Sequence, residues 1–171
     1  PKLNIKVPII WNSPPDEEIM LKNLQKGVVH YNGTGMPDEP DGNVFISGHS
    51  SYYWWDKGKY KTVFANLNKL NEGNEIALAY EEKVYIYRVY EKFEVKPEQV
   101  EVLESVGKPI VTLMTCVPVG TNLRRLIVRA EKISENVEKE KPQQKESSSK
   151  PAQTPSPSLT PTKLPELNPL D

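Results

Sequence analysis

The chain has 171 residues, of which 37% are hydrophobic and 26% are charged, and these values favour one modest globular domain plus an unfolded segment. They exclude a large multidomain protein, and the formal net charge of −1 gives no electrostatic basis for binding nucleic acid. The single cysteine excludes an internal disulfide, and no paired Cys or His spacing predicts a structural zinc site. We therefore expect no metal and no cofactor.

Alternation of apolar and polar residues predicts a mainly β domain over residues 1–134, with strand spacing that suggests a closed barrel. The first segment, NIKVPII, alternates with period two and precedes a helix predicted over residues 14–26, which Ser13 would cap and Gly27 would close. Short helices are predicted at TVFANLNKL and PEQVEVLE. The remaining predicted strands are, in chain order, VVHY, NVFISG, EIALAY, KVYIYRVYEKFEV, PIVTLMT and RRLIVRA.

Residues 135–171 contain no aromatic side chain, and 7 of the 30 residues from Pro142 onward are proline. Such a composition opposes regular structure and favours a solvated, extended linker or tail, which we predict to be disordered. The chain begins at Pro1 and has no apolar run of about 18 residues, so any membrane anchor is expected to lie outside this sequence.

Cys116 ends an apolar run and precedes a loop rich in Pro and Gly. A lone cysteine in that position is either a small hydrophobic core residue or a nucleophile held at the end of a strand. Thiol catalysis also needs a group that exchanges protons near neutral pH, and the chain offers His30 and His49.

His30 lies within the predicted strand VVHY, where a structural role is the simpler interpretation. His49 follows a strand directly and has Gly48 before it, which favours His49 as the proton carrier, although a simple loop residue is also consistent with this spacing. Acyl transfer further needs a donor for the developing oxyanion, and RRLIVRA supplies three arginines. An arginine at a strand edge is equally consistent with a solvated surface residue.

Three segments together resemble the sortases, the cysteine transpeptidases of bacterial surfaces: VVHYNGTGMPDEPDGNVFISGHS, VTLMTC and CVPVGTNLRRLIVRA. The sortase pattern ends a strand with Thr-Leu-x-Thr-Cys, which matches residues 112–116, and places an arginine about nine residues later, which matches Arg125. Gly48 and His49 match the family's histidine, 67 residues before the cysteine. The resemblance covers about residues 2–133.

This resemblance implies an eight-stranded β-barrel with Cys116, His49 and Arg125 at one end of a groove in its outer wall. Cys116 would attack a peptide bond in the sorting signal of a secreted surface protein and form a thioacyl enzyme. His49 would exchange protons with the leaving and incoming amines, Arg125 would hold the oxyanion or the substrate backbone, and Thr115 would contact substrate. The acceptor amine would belong to a cell-wall precursor or a protein subunit, at the extracytoplasmic face of the membrane.

Alternation along the last strand predicts which arginine acts, because adjacent side chains point to opposite faces. Leu126, Val128 and Ala130 form the more apolar set and should face the core, which places Arg125 on the outer side with Ile127 and Arg129.

The chain shows no Asp-Pro-aromatic lid of the kind typical of pilin-polymerising sortases, so a housekeeping or specialised single-domain role is favoured. Residues 52–55, Tyr-Tyr-Trp-Trp, would either line the groove or plug the barrel mouth. Residues 164–168 read Leu-Pro-Glu-Leu-Asn, which is similar to the sorting signal Leu-Pro-x-Thr-Gly but lacks its Thr and Gly, so a linker is the simpler interpretation. The alternative functions are a hydrolytic thiol peptidase and a non-catalytic barrel that binds peptide or glycan.

Overall fold

The structure is a computed structural model, and it describes residues 3–51 and 59–136. Of the predicted tail, residues 135–171, the structure describes only residues 135 and 136, and both belong to the last strand of the sheet. From residue 137 onward the tail lies outside the described residues, so its disorder stays a prediction. Within the described ranges, no helix combines the length and apolar character that a membrane span requires.

Seven strands form one curled sheet in the order β1-β2-β3-β6-β7-β5-β4. In chain order they are β1 (Ile9–Ser13), β2 (Val28–Tyr31), β3 (Asn43–Ser47), β4 (Glu75–Tyr80), β5 (Lys83–Val95), β6 (Ile110–Val117) and β7 (Arg124–Asn136). The pairs β1–β2 and β3–β6 are parallel and the other four neighbouring pairs are antiparallel. The mainly β class is therefore confirmed.

The closed eight-stranded barrel predicted above is wrong for the described residues, because the sheet keeps two edges, β1 and β4. Trp11 of β1 and Tyr80 of β4 make an edge-to-face ring contact at 4.9 Å between centroids. The two edges thus meet through side chains and not through a hydrogen-bonded ladder, so the sheet forms a half-barrel. Alternating side chains upstream of β1, such as Leu3 and Ile5, pack on the core although their backbone is not in a strand.

One helix, α1 (Glu17–Leu24), connects β1 to β2 and is shorter than predicted. Its N-cap is Asp16, whose carboxylate accepts a hydrogen bond from the Ile19 N–H at 2.9 Å. The predicted cap Ser13 is wrong, because Ser13 ends β1 and its hydroxyl accepts a hydrogen bond from Asn23 Nδ2 instead. The chain leaves the helix at Gln25, before Gly27. Both predicted short helices are 3-10 turns, Leu67–Lys69 and Val100–Leu103.

The sheet buries a different set of side chains on each face. An inner cluster fills the half-barrel, and it includes Val44, Ile46, Val111, Leu113, Leu126 and Val128. An outer cluster lies on the opposite face, and it consists of Phe45, Val95, Val102 and Ile127, with Tyr31, Phe93, Leu103 and Met114 packed against it. The outer cluster is covered by the β5–β6 connection, residues 96–109, which contributes Val102 and Leu103.

His30 is a fully buried structural residue on the inner face, opposite Ile46. Its Nδ1 accepts a hydrogen bond from the Asn12 N–H at 3.3 Å, so the network assigns the ring proton to Nε2, which donates to the Gly35 carbonyl at 3.0 Å. Burial lowers the pKa of His30 from its ordinary value of 6.5, although the Gly35 hydrogen bond and the Glu39 charge oppose that shift. The neutral ring therefore holds β1, β2 and the following loop together.

We expect His30 to make stability depend on pH. Because its folded pKa is lower than 6.5, the unfolded chain takes up a proton more readily, so the free energy of unfolding is greatest above pH 6.5 and falls as the pH drops towards the folded pKa. Replacing His30 with glutamine should remove this contribution. Urea unfolding of the wild type and of His30→Gln, each at about pH 7.5 and about pH 5.5, measures this contribution. If both proteins lose the same free energy of unfolding between the two pH values, the assignment is contradicted.

Candidate active site

Cys116 lies near the end of β6, half-buried, and its register partner on β7 is Arg125. Directly opposed residues of an antiparallel pair project from the same face, with Cβ atoms about 5 Å apart. That face is the outer one, since Met114 and Ile127, two residues away on each strand, belong to the outer cluster. The ladder itself therefore places the side chains of Cys116 and Arg125 next to each other on the outer face.

The three arginines of β7 have different surroundings. The half-buried Arg125 donates from Nη1 to the Asn122 carbonyl at 3.0 Å and to the Arg124 carbonyl at 3.3 Å. Arg124 is exposed, lies opposite Val117 and is 3.7 Å from the carboxylate of Glu94. Farther from Cys116 along β7, Arg129 lies 3.6 Å from the Glu91 carboxylate.

The predicted sidedness of β7 is confirmed, because Leu126, Val128 and Ala130 all belong to the inner cluster and Ile127 to the outer one. Arg125 accordingly lies on the outer face. Its chemical role stays a prediction.

His49 follows β3 at the same end of the sheet at which Cys116 lies on β6. Strands β3 and β6 are parallel with Ser47 opposite Met114, so His49 and Cys116 each lie two residues beyond that pair. The Gly48 N–H donates to the Met114 carbonyl at 3.1 Å, and the His49 carbonyl accepts from the Phe64 N–H at 2.9 Å. The Nε2 atom of His49 is shielded from solvent. The backbone of His49 is thus fixed relative to the strand that carries the thiol.

Thr115 fixes the same loop from the inner face. Its side chain is 2% exposed, and its hydroxyl donates to the Gly48 carbonyl at 2.7 Å. Its register partner is Leu126, so Thr115 points away from the face of Cys116 and Arg125. The predicted contact between Thr115 and substrate stays untested, and this geometry favours a positioning role for the hydroxyl.

Gly48 has no room for a side chain, since a Cβ placed there would lie 2.5 Å from a ring carbon of the buried Phe64. We expect Gly48→Ala to cost about 1–3 kcal/mol of stability and to displace His49, lowering any turnover. Thermal unfolding and peptide kinetics measure the two effects. Adding Phe64→Leu should recover part of both, and no recovery would contradict the proposed clash.

Tyr31, at the end of β2, is a site residue that the sequence analysis missed. Its ring contacts Phe45 edge-to-face at 5.1 Å. Burial raises the pKa of Tyr31, a hydrogen bond with Ser47 and the Arg125 charge lower it, and the electrostatic effect of Cys116 raises it. The phenol therefore lies within electrostatic reach of both Cys116 and Arg125. Alternation along VVHY contains the relevant signal, because a buried inner His30 requires Tyr31 to face outward.

A cavity of about 490 Å³ opens beside Tyr31. The β2–β3 loop, residues 32–42, and the start of β3 form one side, and Leu103, Glu104 and Ser105 of the β5–β6 connection form the other. Tyr31 therefore borders this cavity and lies on the same face of the sheet as Cys116. The predicted aromatic cluster at residues 52–55 lies outside the described residues.

Comparison with known proteins identifies the family. The sortase domain model matches residues 1–133. The chain belongs to the sortase family. Members of this family act as cysteine transpeptidases at the cell surface, and the class of this sortase is not specified by the match.

Two curated sortases are similar to this chain. Sortase A of Bacillus anthracis is 28% identical over 139 residues, covering 81% of this chain and 60% of that protein. Sortase E1 of Streptomyces coelicolor is 32% identical over 150 residues, covering 79% of this chain and 39% of that protein. The chain therefore spans less than two thirds of the length of either relative.

Solved sortases share the fold. Sortase C-1 from Actinomyces oris has a TM-score of 0.66 at 29% identity, covering 78% of this chain and 70% of that one. Sortase E1 from Streptomyces coelicolor, solved with a tripeptide in its active site, has a TM-score of 0.67 at 28% identity, covering 79% and 85%.

Proposed function

We propose that this sortase is a cysteine transpeptidase that cleaves a sorting signal in a secreted surface protein and transfers the acyl part to an amine. The observation that carries the proposal is the register pair of Cys116 and Arg125, with His49 following β3 at the same end of the sheet. A binding module would need none of these three groups. The family supports an extracytoplasmic site of action.

In the first half of the proposed reaction, the Cys116 thiolate attacks the carbonyl carbon of the scissile peptide bond. The C–N bond breaks, the leaving amine takes a proton from the His49 imidazolium, and a thioester to Cys116 remains. In the second half, an acceptor amine attacks the thioester and gives its proton to His49. The C–S bond breaks, so the thiolate and imidazolium are both restored.

Arg125 is suited to hold the oxyanion in both halves. Its Nη1 already donates to two backbone carbonyls, of Asn122 and Arg124, and a substrate carbonyl is an acceptor of the same type. Substrate can therefore exchange with these backbone carbonyls without leaving the guanidinium unpaired.

A set of quenched fluorogenic peptides of the form Leu-x-x-Thr-Gly tests the proposal, with and without an excess of triglycine as the amine acceptor. We expect cleavage, with triglycine converting the acyl product from an acid into an amide that mass spectrometry identifies. Formation of the acid alone in both conditions would favour the hydrolytic thiol peptidase. Binding without any cleavage would favour the non-catalytic barrel.

A further inference from the structure

A buried amide joins the β5–β6 connection to the strand that carries Cys116. Asn43, the first residue of β3, is 2% exposed, and its Nδ2 donates to the Val102 carbonyl at 2.9 Å and to the Glu104 carbonyl at 3.0 Å. Its Oδ1 accepts from the hydroxyl of Thr112 on β6 at 2.7 Å. Both amide hydrogens and the amide oxygen are therefore committed, and the Asn43 side chain has one orientation.

The β5–β6 connection depends on this amide for its position over the sheet. It contains only a short 3-10 turn, Val100–Leu103, whose Val102 and Leu103 pack on the outer cluster. Packing of two apolar side chains is not directional, so it does not by itself fix where the connection lies. The two hydrogen bonds to the carbonyls of Val102 and Glu104 are directional, and they fix the distance of the connection from the sheet and its position along β3. Thr112 on β6 orients the Asn43 amide in turn, so the position of the connection is fixed relative to β6.

The connection forms one side of the cavity beside Tyr31. Leu103 and Glu104 line that cavity, and Tyr31 lies on its other side, on the same outer face of the sheet as Cys116 and Arg125. Tyr31 and Asn43, which line the other side together with the β2–β3 loop, belong to strands of the sheet, so the position of the connection contributes to the width of the cavity.

We infer that Asn43 is a positioning residue for substrate binding, which fixes the connection as a wall of the groove that receives the sorting signal; this inference rests on the proposed function. Thr112 acts through Asn43, since its hydroxyl bonds to the amide oxygen and not to the connection. Neither residue takes part in the chemical step.

Two variants and one matched control test this role. Asn43→Leu removes both donors at similar volume, and Thr112→Val removes the hydroxyl that orients the amide while leaving the shape of the side chain nearly unchanged. Val111→Ala is the control. Val111 precedes Thr112 in sequence but is fully buried on the inner face, so truncating its side chain destabilises the domain and removes no contact with the connection.

The substrate for the kinetic measurements is a fluorogenic Leu-Pro-x-Thr-Gly peptide. The rate of alkylation by iodoacetamide measures the reactivity of the Cys116 thiol without requiring that the peptide bind. We expect Thr112→Val and Asn43→Leu to raise KM roughly tenfold with kcat changed less than about threefold. The alkylation rate of Cys116 should stay within about twofold of the wild type. Val111→Ala should leave KM unchanged at a comparable loss of thermal stability.

Hydrogen exchange of residues 100–107, measured without substrate, separates this inference from the proposed function. Exchange there should become about tenfold faster in both variants and not in Val111→Ala. Unchanged exchange, or an unchanged KM in folded Thr112→Val, would overturn the role of Asn43. If the wild type cleaves no peptide, the proposed function fails and so does the prediction for KM. Hydrogen exchange of residues 100–107 still decides whether Asn43 holds the connection in place.

Discussion

Replacing Cys116 with alanine is expected to abolish peptide cleavage and transfer. The thiol belongs to the single cysteine of the sequence and lies opposite Arg125 on the outer face, and alanine cannot form the thioester. The fold should survive, with stability within about 2 kcal/mol of the wild type, because removing one half-buried sulfur near a strand end leaves a small cavity.

Peptide kinetics and thermal unfolding measured on the same preparation check both halves of this expectation. Cys116→Ser serves as the conservative variant, since it keeps the shape but replaces the thiol by a much weaker nucleophile. Turnover close to normal in a folded Cys116→Ala protein would rule out the proposed mechanism.

Replacing Arg125 with lysine should lower turnover about a hundredfold or more, on the scale of losing one oxyanion donor. A lysine ammonium keeps the charge but lacks the planar fork of several N–H donors that a guanidinium presents to a carbonyl or an oxyanion.

Arg124→Lys is the matched control for this change. Arg124 is adjacent in sequence, lies opposite Val117 and is exposed, and its 3.7 Å contact with Glu94 is a surface ion pair that contributes little. Steady-state kinetics should therefore find Arg124→Lys nearly silent. The reverse ranking would refute the role assigned to Arg125.

Much of the sheet could be predicted because alternation within a strand is a local property. The six strands from VVHY to RRLIVRA all occur, and the apolar set of Leu126, Val128 and Ala130 correctly predicted the face of β7 on which Arg125 lies. The same reasoning applied to VVHY would have placed Tyr31 on the outer face once His30 was assigned to the interior.

What could not be predicted depends on contacts between distant segments. Whether β1 and β4 form a hydrogen-bonded pair depends on how far the sheet curls, which is not a local property of either strand. In this structure the two strands meet through the rings of Trp11 and Tyr80. The β5–β6 connection likewise adopts its 3-10 turn where Asn43, about 60 residues earlier in the chain, binds its carbonyls. The helix cap differed because β1 extends to Ser13 and so uses the residue that would otherwise cap α1.

The most direct test of the account is the intact mass of the protein during turnover of a cleaved peptide. We predict an adduct equal to the acyl part of that peptide, located on Cys116 by digestion and discharged when triglycine is added. Cleavage of the peptide without any adduct on Cys116, or with the adduct on another residue, would contradict the thioacyl mechanism.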